Sequence, residues 1–326
     1  SVFDELTNVV WPSLAGRELP AYRDEIRPFL TEVEELLPEG DAEAEVVAHH
    51  AARCAMELAI VDCRLRSAGV SLGEALGPVR NEIIYNGMLP TGNMKYARQI
   101  VKIMRQVGVF QVKVKVGDPA DLDRVRLLKE VLGDEGTILA DANGAWSFDE
   151  AREAISALGE LGVVLIEQPL ARGPVEELAE LRKAVSVPIM VDESLVTLGD
   201  AHELIAAEAC DVFNVRLSKC GGLGRSLEFI DLARGAGLDW QLGCHVGETA
   251  VLSAAGRALG LSVDDPLFVE GSVGEWLLEE DLTSPPVQLG PGGRASALTG
   301  PGLGIDVLED RLERYGVQTR RLEVGS

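Results

Sequence analysis

From residue 85 onward, short apolar runs rich in β-branched residues alternate with amphipathic helical segments, and this alternation constrains the fold more than any other feature. Such runs, bounded by turn residues and separated by helices, are typical of βαβ units, which build parallel sheets. We predict eight strands, at residues 81–87, 112–116, 137–140, 163–166, 189–191, 212–217, 240–242 and 267–269. Eight strands alternating with helices predict an α/β fold, a closed (β/α)8-type TIM barrel.

Charged residues fall at the ends of five consecutive predicted strands. They are Lys115, Asp141, Glu167, Asp192 and Arg216, and successive members lie 24 to 26 residues apart, about the length of one βα unit. In a barrel these ends meet at one mouth, where polar side chains are costly to place unless they bind something. The spacing therefore predicts one functional site at the carboxyl ends of the strands.

Three of these residues are acids that directly follow apolar runs. Asp141, Glu167 and Asp192 lie in the segments L-A-D-A-N-G, I-E-Q-P and V-D-E-S. Three carboxylates side by side repel one another unless a cation holds them. A ligand set of oxygen atoms alone suits a hard divalent ion, so we predict a Mg²⁺ site, with Mn²⁺ as a second candidate. Three unrelated strand or helix caps are the alternative interpretation.

Two lysines alternate with valines in the segment V-K-V-K-V. Because strand side chains alternate between faces, Lys113 and Lys115 share one face and the valines share the other. A like charge nearby and partial burial lower the pKa of an ammonium group toward the range of a general base. A divalent metal facing such a lysine predicts removal of a proton α to a carboxylate, with the metal neutralising the developing enediolate. A solvated edge strand is the alternative.

These motifs resemble those of the enolase superfamily, in particular its muconate-lactonising subgroup. The segments K-V-K, D-A-N-G-A-W, E-Q-P-L, V-D-E-S and N-V-R-L-S-K-C-G-G carry the resemblance, which covers about residues 83–270. It implies that Asp141, Glu167 and Asp192 bind magnesium, that Lys115 is the base with Lys113 beside it, and that the reaction passes through a metal-stabilised enolate. It also implies an amino-terminal α+β capping domain over the barrel mouth.

One position departs from the family's pattern. Relatives similar to this chain carry a second catalytic lysine where Arg216 stands, and arginine is a poor proton shuttle. Along a strand, Asn214, Arg216 and Ser218 share one face. Lys219 can therefore serve as the second catalytic lysine only if the strand has ended before it.

Further candidates follow the third, seventh and eighth strands. His245 is a candidate acid or second base, although Arg216 would disfavour its charged form. Asn143 is a candidate substrate contact. Glu248 and Glu270 are candidates for contact with the substrate or with Arg216, and a capping or solvated position is the alternative interpretation of both. The glycine-rich segment C-G-G-L-G after the sixth strand is either a tight turn or a loop whose amides hold an anion.

Together these features predict a magnesium-dependent lyase or isomerase that abstracts the proton α to a carboxylate through Lys115. One-base chemistry is favoured, either cycloisomerisation of the muconate type or dehydration of the o-succinylbenzoate synthase type, with Arg216 free to pair with a second substrate carboxylate. An amino-acid or dipeptide epimerase or racemase, with Lys219 or His245 as second base, is the alternative enzyme. A non-catalytic carboxylate-binding protein is the alternative from another class.

Composition limits the partners. With 30 Lys+Arg against 53 Asp+Glu, the formal net charge of −23 opposes phosphate backbones and anionic lipid, so neither a nucleic acid nor a membrane is expected as a partner. A small carboxylate is the expected partner, and the resemblance implies a homo-oligomer, a dimer or an octamer.

Five scattered cysteines without a C-x-x-C pair, and the lack of a basic and apolar leader, predict a cytoplasmic location.

Three regions are expected along the chain. Residues 1–82 form a mainly helical portion of the cap, with a helix over 41–65 on which His49 and His50 point to different faces. Residues 83–285 form the barrel, and residues 286–326 return to the cap, with a helix over 308–315. Only about forty residues precede the first long helix, which is fewer than the resemblance implies, so the cap is expected to be incomplete.

Overall fold

A parallel sheet of seven strands carries the fold. The computed structural model describes residues 1–38, 46–264, 266–271 and 274–321. In the sheet the strands follow one another in chain order, each parallel to the next. They are, numbered one to seven, Gly87–Leu89, Gln111–Lys115, Thr137–Asp141, Val163–Glu167, Ile189–Val191, Val212–Val215 and Asp239–Leu242.

An eighth segment, residues 267–270, joins the two edges of this sheet. The amide of Leu242 donates to the carbonyl of Phe268 at 3.1 Å, and the amide of Glu270 donates to the carbonyl of Leu242 at 2.8 Å. On the other edge, the amide of Asn86 donates to the carbonyl of Val269 at 2.8 Å. Residues 267–270 take the place of the eighth strand, and the predicted α/β barrel is confirmed.

The predicted first strand, residues 81–87, is wrong for the barrel. Glu82–Ile84 pairs antiparallel with Arg294–Ser296 in a separate two-stranded sheet, while Gly87–Leu89 is the strand that pairs with Gln111–Lys115. The I-I-Y run is more β-branched than the G-M-L run that follows it, so a pattern based on residue type selects the wrong one.

Side chains along the barrel strands alternate between the interior and the outer helices. Buried inward-facing side chains form one small apolar cluster, here called the apolar floor: Leu139, Leu165, Met190, Val212 and Phe268. Two residues further along the same strands stand polar residues: Asp141, Glu167, Asp192, Asn214 and Glu270. The polar strand ends therefore lie above an apolar floor.

Outer helices connect the strands: Met94–Gln106, Asp121–Leu132, Phe148–Glu160, Val175–Ala184, Leu198–Ala206, Leu223–Gly235 and Ala250–Ser262. Two of them begin with a capping box, in which the Ser147 or Thr197 side chain and the acid three residues later satisfy amides at the helix start.

Throughout the described ranges, no helix is both long and apolar enough to cross a membrane.

The regular elements in residues 1–38 and 46–81 are helices: Val2–Glu5, the π-helical turn Leu6–Val10, Trp11–Leu14, Ile26–Glu34, Val46–Ala68 and Leu72–Leu76. We call Val46–Ala68 the long cap helix. It corresponds to the helix predicted over 41–65, of which residues 41–45 lie outside the described residues. His49 and His50 point to different partners, Pro38 and Lys219.

The carboxy-terminal region contacts the long cap helix through the loop around residue 303, which precedes the last helix, and not through that helix. The amide of Leu303 donates to Oδ1 of Asp62 on the long cap helix at 2.8 Å. The last helix, Glu309–Tyr315, lies near Glu280 instead, where Arg314 makes an ion pair at 3.0 Å.

We expect Leu165→Ala to lower the free energy of unfolding by about 2–5 kcal/mol, because it opens a cavity in the apolar floor. Leu165 is 1% exposed, whereas its neighbour Val164 faces outward and is 45% exposed. Val164→Ala is the matched control, since shortening an exposed side chain costs much less. Urea unfolding followed by circular dichroism measures both variants, and equal losses would contradict a stabilising floor.

Candidate active site

The strand register brings the predicted site residues to one level of the barrel mouth. Lys115 pairs with Asp141, and Asp141 pairs with Glu167, in adjacent parallel strands. Each of the three is the last residue of its strand. Asp192 directly follows the fifth strand, and Arg216 directly follows the sixth. All five residues therefore lie at the same rim.

Lys115 lies at the open side of this group. Its Nζ contacts the carboxylate of Asp141 and donates to Oδ1 of Asn143 at 2.7 Å. The Lys115 side chain is 22% exposed, while that of Asp141 is buried. Asn143 has a left-handed backbone, with φ 46°, and its amide donates to Oδ1 of Asp141 at 2.9 Å. The turn after the third strand thus fixes Asp141 and leaves Lys115 accessible.

Lys113 lies deeper and is surrounded by acids. Its Nζ lies 2.6 Å from Oε1 of Glu270, 3.1 Å from Oε2 of Glu167 and 3.5 Å from Oδ2 of Asp141. Burial alone would lower the pKa of Lys113, but the facing carboxylates outweigh it and raise that pKa well above its ordinary value. The predicted lowering of the pKa is wrong for Lys113, because the sequence pattern does not show which acids face it from other strands.

Glu167 is the most crowded of the three predicted metal ligands. Its side chain is buried, contacts Lys113 and accepts a hydrogen bond from Nδ2 of Asn214 at 2.7 Å. Burial raises the pKa of Glu167 to about 8, an effect that Lys113 opposes and that the neighbouring carboxylates reinforce. Like-charge crowding of this kind is relieved when an additional cation binds.

Asp192 is held by two cations from the end of the sixth strand. Nη2 of Arg216 lies 2.5 Å from Oδ2, and Nζ of Lys219 lies 2.8 Å from Oδ1. Burial would raise the pKa of Asp192, but Lys219 and Arg216 together lower it below its ordinary value. Nζ of Lys219 also donates to the carbonyls of Asp192 at 2.9 Å and Asn214 at 2.7 Å, so each of its three hydrogens has an acceptor.

The position of Lys219 corrects the predicted sixth strand. The strand predicted over 212–217 ends at Val215, and Leu217–Cys220 forms a short helix. The condition for Lys219 to reach the site, an earlier strand end, is therefore met. Lys219 contacts the carboxylate of Asp192, however, and is only 3% exposed.

A cavity beside the rim contains the remaining predicted residues. Its lining includes Tyr85, Arg216, His245, Glu248 and Glu270. Burial lowers the pKa of His245, and Arg216 adds to that lowering, so the imidazole is neutral near pH 7. Burial also raises the pKa of Glu248 to about 7. The Glu248 carboxylate accepts hydrogen bonds from Oγ of Ser253 at 2.8 Å and from the amide of His245 at 3.2 Å.

Sequence reasoning did not single out Gln168, which connects two of the acids. It follows Glu167 directly, is fully buried and has a left-handed backbone, with φ 39°. Its Oε1 accepts from the amides of Asp192 at 2.9 Å and Ser194 at 3.1 Å. The motif E-Q-P contained the signal, a polar amide at the end of a buried strand, but a search for charged residues passes over it. The same holds for Asn214, the donor to Glu167.

The three predicted metal ligands are neighbours whose oxygens face cationic side chains. Within residues 1–38, 46–264, 266–271 and 274–321, no three side chains of His, Cys, Asp or Glu converge closely enough to bind one ion as they stand. The donor chemistry nevertheless fits Mg²⁺, because Asp141, Glu167 and Asp192 are buried, come from adjacent strands and offer only oxygen.

Comparisons with known proteins agree with this geometry. The family described as "Enolase C-terminal domain-like" matches residues 95–311. A hydrophobic dipeptide epimerase of Roseobacter litoralis is 33% identical over 257 residues, 74% of this chain and 73% of the relative. An o-succinylbenzoate synthase of Geobacillus stearothermophilus is 30% identical over 267 residues, 81% of this chain and 70% of the relative. The solved muconate lactonizing enzyme from Pseudomonas putida superposes with a TM-score of 0.84 at 26% identity, over 96% of this chain and 85% of that structure.

The family match covers more than half of the chain and includes every predicted site residue, from Lys113 to Glu270. The structural likeness extends over the cap portion as well, since it covers nearly all of the chain. This protein is therefore an enzyme of the enolase superfamily and belongs to its muconate-lactonising subgroup.

Proposed function

We propose that this enzyme is a Mg²⁺-dependent lyase or isomerase that removes a proton α to a carboxylate of a small substrate. The observation that carries the proposal is the position of Lys115, accessible on the second strand and next to the buried acids of the following three strands. The names of the relatives support a carboxylate substrate, since dipeptides, o-succinylbenzoate and muconate all carry carboxylates.

Each residue at the rim has a distinct role in this proposal. Asp141, Glu167 and Asp192 would hold the metal ion, which when bound supplies positive charge against the substrate carboxylate. Lys115 accepts the α proton because it is the lysine that the mouth exposes. Asn143 accepts a hydrogen bond from Nζ of Lys115 and so orients the amine.

The end of the sixth strand favours one-base chemistry. Arg216 keeps its proton at any pH at which the protein is folded, so it does not relay protons. Lys219 is buried and donates all three N–H groups to oxygens of Asp192 and Asn214, so its nitrogen has no free lone pair with which to accept a substrate proton. The planar guanidinium of Arg216 suits a second carboxylate on the substrate. Cycloisomerisation or dehydration fits this arrangement better than epimerisation.

An epimerase or racemase is the second candidate, and one observation favours it. His245 lines the same cavity as Arg216 and carries a neutral imidazole, which is able to accept a proton. The 33% identical relative named as a dipeptide epimerase points in the same direction. A non-catalytic carboxylate-binding protein finds no support among the relatives, which are enzymes.

We expect Lys115→Met to reduce α-proton exchange by about a hundredfold to ten-thousandfold, because it removes the base. Proton NMR in D2O with Mg²⁺ measures exchange across N-acyl amino acids, dipeptides, muconates and sugar acids. Lys102→Met is the control, since Lys102 is exposed on an outer helix. Exchange that persists in Lys115→Met would contradict the role of Lys115, and exchange that survives removal of divalent ions by EDTA would contradict the metal.

Arg216→Lys separates one-base from two-base chemistry. The wild-type enzyme is expected to exchange the α proton of one enantiomer only. The variant places a titratable amine at the same strand end, so we expect slow exchange of both enantiomers and a KM about tenfold higher for a dicarboxylate. Arg216→Gln is the matched control, because it loses the charge without gaining a base. If the wild type already exchanges both enantiomers, the epimerase is the better assignment, and His245→Gln then identifies the second base.

A further inference from the structure

The buried face of the long cap helix rests on the turn that follows the sixth barrel strand. His50, Arg53 and Glu57 are spaced three and four residues apart, so they share one face of this helix, and all three are buried. That face contacts residues 216–224, which we call the strand-six turn. The strand-six turn carries Arg216 and Lys219, the two cations that hold Asp192.

Glu57 supplies the cap of the helix that leaves this turn. Its carboxylate accepts hydrogen bonds from the amides of Leu223 and Gly224, the latter at 2.9 Å. These are the first amides of Leu223–Gly235, whose own N-cap residue, Gly222, has no side chain to offer. Gly222 has φ 138°, and a Cβ there would collide with the Glu57 carboxylate. The amides of the glycine-rich segment thus bind a carboxyl group of the protein's own cap. Burial raises the pKa of Glu57 to about 8, and the hydrogen bonds from Gly224 and Leu223 oppose that rise.

His50 fixes the same turn at Lys219. Its Nδ1 lies 2.8 Å from the carbonyl oxygen of Lys219. Burial lowers the pKa of His50 to about 4, so the ring is neutral at pH 7. Because a carbonyl oxygen only accepts, Nδ1 carries the hydrogen and donates it. The backbone of Lys219 is therefore tied to the cap while its side chain is tied to Asp192.

Glu34 and two arginines complete the contact between the cap and the turn. Oε2 of Glu34 lies 2.5 Å from Nη2 of Arg53 and 3.3 Å from Nε of Arg225, which directly follows the turn. Arg53 lies on the same helix face as Glu57, so both the buried Glu57 and the partly buried Glu34 have a cation beside them. Losing one member of such a buried network is costly, because the remaining charges stay out of water.

We infer that Glu57 and His50 are positioning residues for the active site, which hold the strand-six turn and thereby set where Arg216 and Lys219 place Asp192. Neither residue touches the rim itself. The inference rests on the proposed function for its kinetic readout, but the hold on the turn is measurable without any substrate.

The first experiment compares Glu57→Gln with the wild type in the full chain. Glutamine keeps the shape but offers one acceptor oxygen instead of two, so we expect the amides of residues 216–224 to exchange with deuterium about tenfold faster. In the α-proton exchange assay we expect kcat to fall about tenfold to a hundredfold, with KM changed less, because the rim is displaced while the mouth remains open. Unchanged amide exchange in the strand-six turn would overturn the inference.

Asp62→Asn is the matched control. Asp62 lies on the same long cap helix, and it too accepts a backbone amide, that of Leu303 at 2.8 Å, beside a glycine that leaves room for it. Its loop lies in the carboxy-terminal region and carries none of the site residues. We expect Asp62→Asn to lower Tm about as much as Glu57→Gln does. Its kcat is expected to stay within about twofold of the wild-type value. If Asp62→Asn lowers kcat as much as Glu57→Gln does, the effect is one of general stability and the inference is wrong.

A second pair of variants tests His50 and covers the case in which Glu57→Gln does not fold. His50→Asn keeps a donor near the position of Nδ1, whereas His50→Leu removes it. We expect His50→Leu to speed amide exchange at Lys219 and Cys220 and to lower kcat, and His50→Asn to restore most of both. Equal behaviour of the two variants would overturn the role of His50.

If the wild type exchanges no α proton on any carboxylate, the proposed function fails, while amide exchange in these variants still decides the inference.

Discussion

Charge compensation among buried side chains at the barrel mouth is the interaction on which the rest of the structure depends. Asp141, Glu167 and Asp192 are each at most 2% exposed, and each contacts a lysine or an arginine. An unpaired carboxylate in such a place costs several kcal/mol. The order of the strands, which sets acids beside lysines, and the turn that brings Arg216 to Asp192 are therefore conditions for folding as well as for chemistry.

The barrel and its rim follow from local properties of the sequence. A βα unit of nearly constant length repeats, and a charged residue ends several of the apolar runs, so the strand ends at Lys115, Asp141 and Glu167 coincide with the polar residues. Parallel strands in chain order then bring these residues together without further information. The metal ligands and the base remain predictions in their roles, although the fold places them side by side.

What the sequence could not indicate depends on contacts between distant segments. Whether Lys219 reaches the site depends on where the sixth strand ends, and the strand ends early, before a turn that His50, 169 residues away, contacts. The pKa of Lys113 rises because Glu270 and Glu167 face it from other strands. Gln168, which follows Glu167 in the chain, accepts a hydrogen bond from the amide of Asp192, a contact that its residue type does not predict. In each case a local pattern is overruled by tertiary structure.

The apolar floor has a consequence for how a substrate arrives. Low-dielectric material beneath the rim directs the field of the rim charges toward the open mouth, where Lys115 and Arg216 are the partly exposed cations. The chain as a whole carries a formal charge of −23 and repels anions at long range. A carboxylate substrate of the proposed kind would meet this like-charged surface first and the two partly exposed cations afterwards. Dissolved ions screen the long-range repulsion more than they screen contacts inside the partly buried mouth.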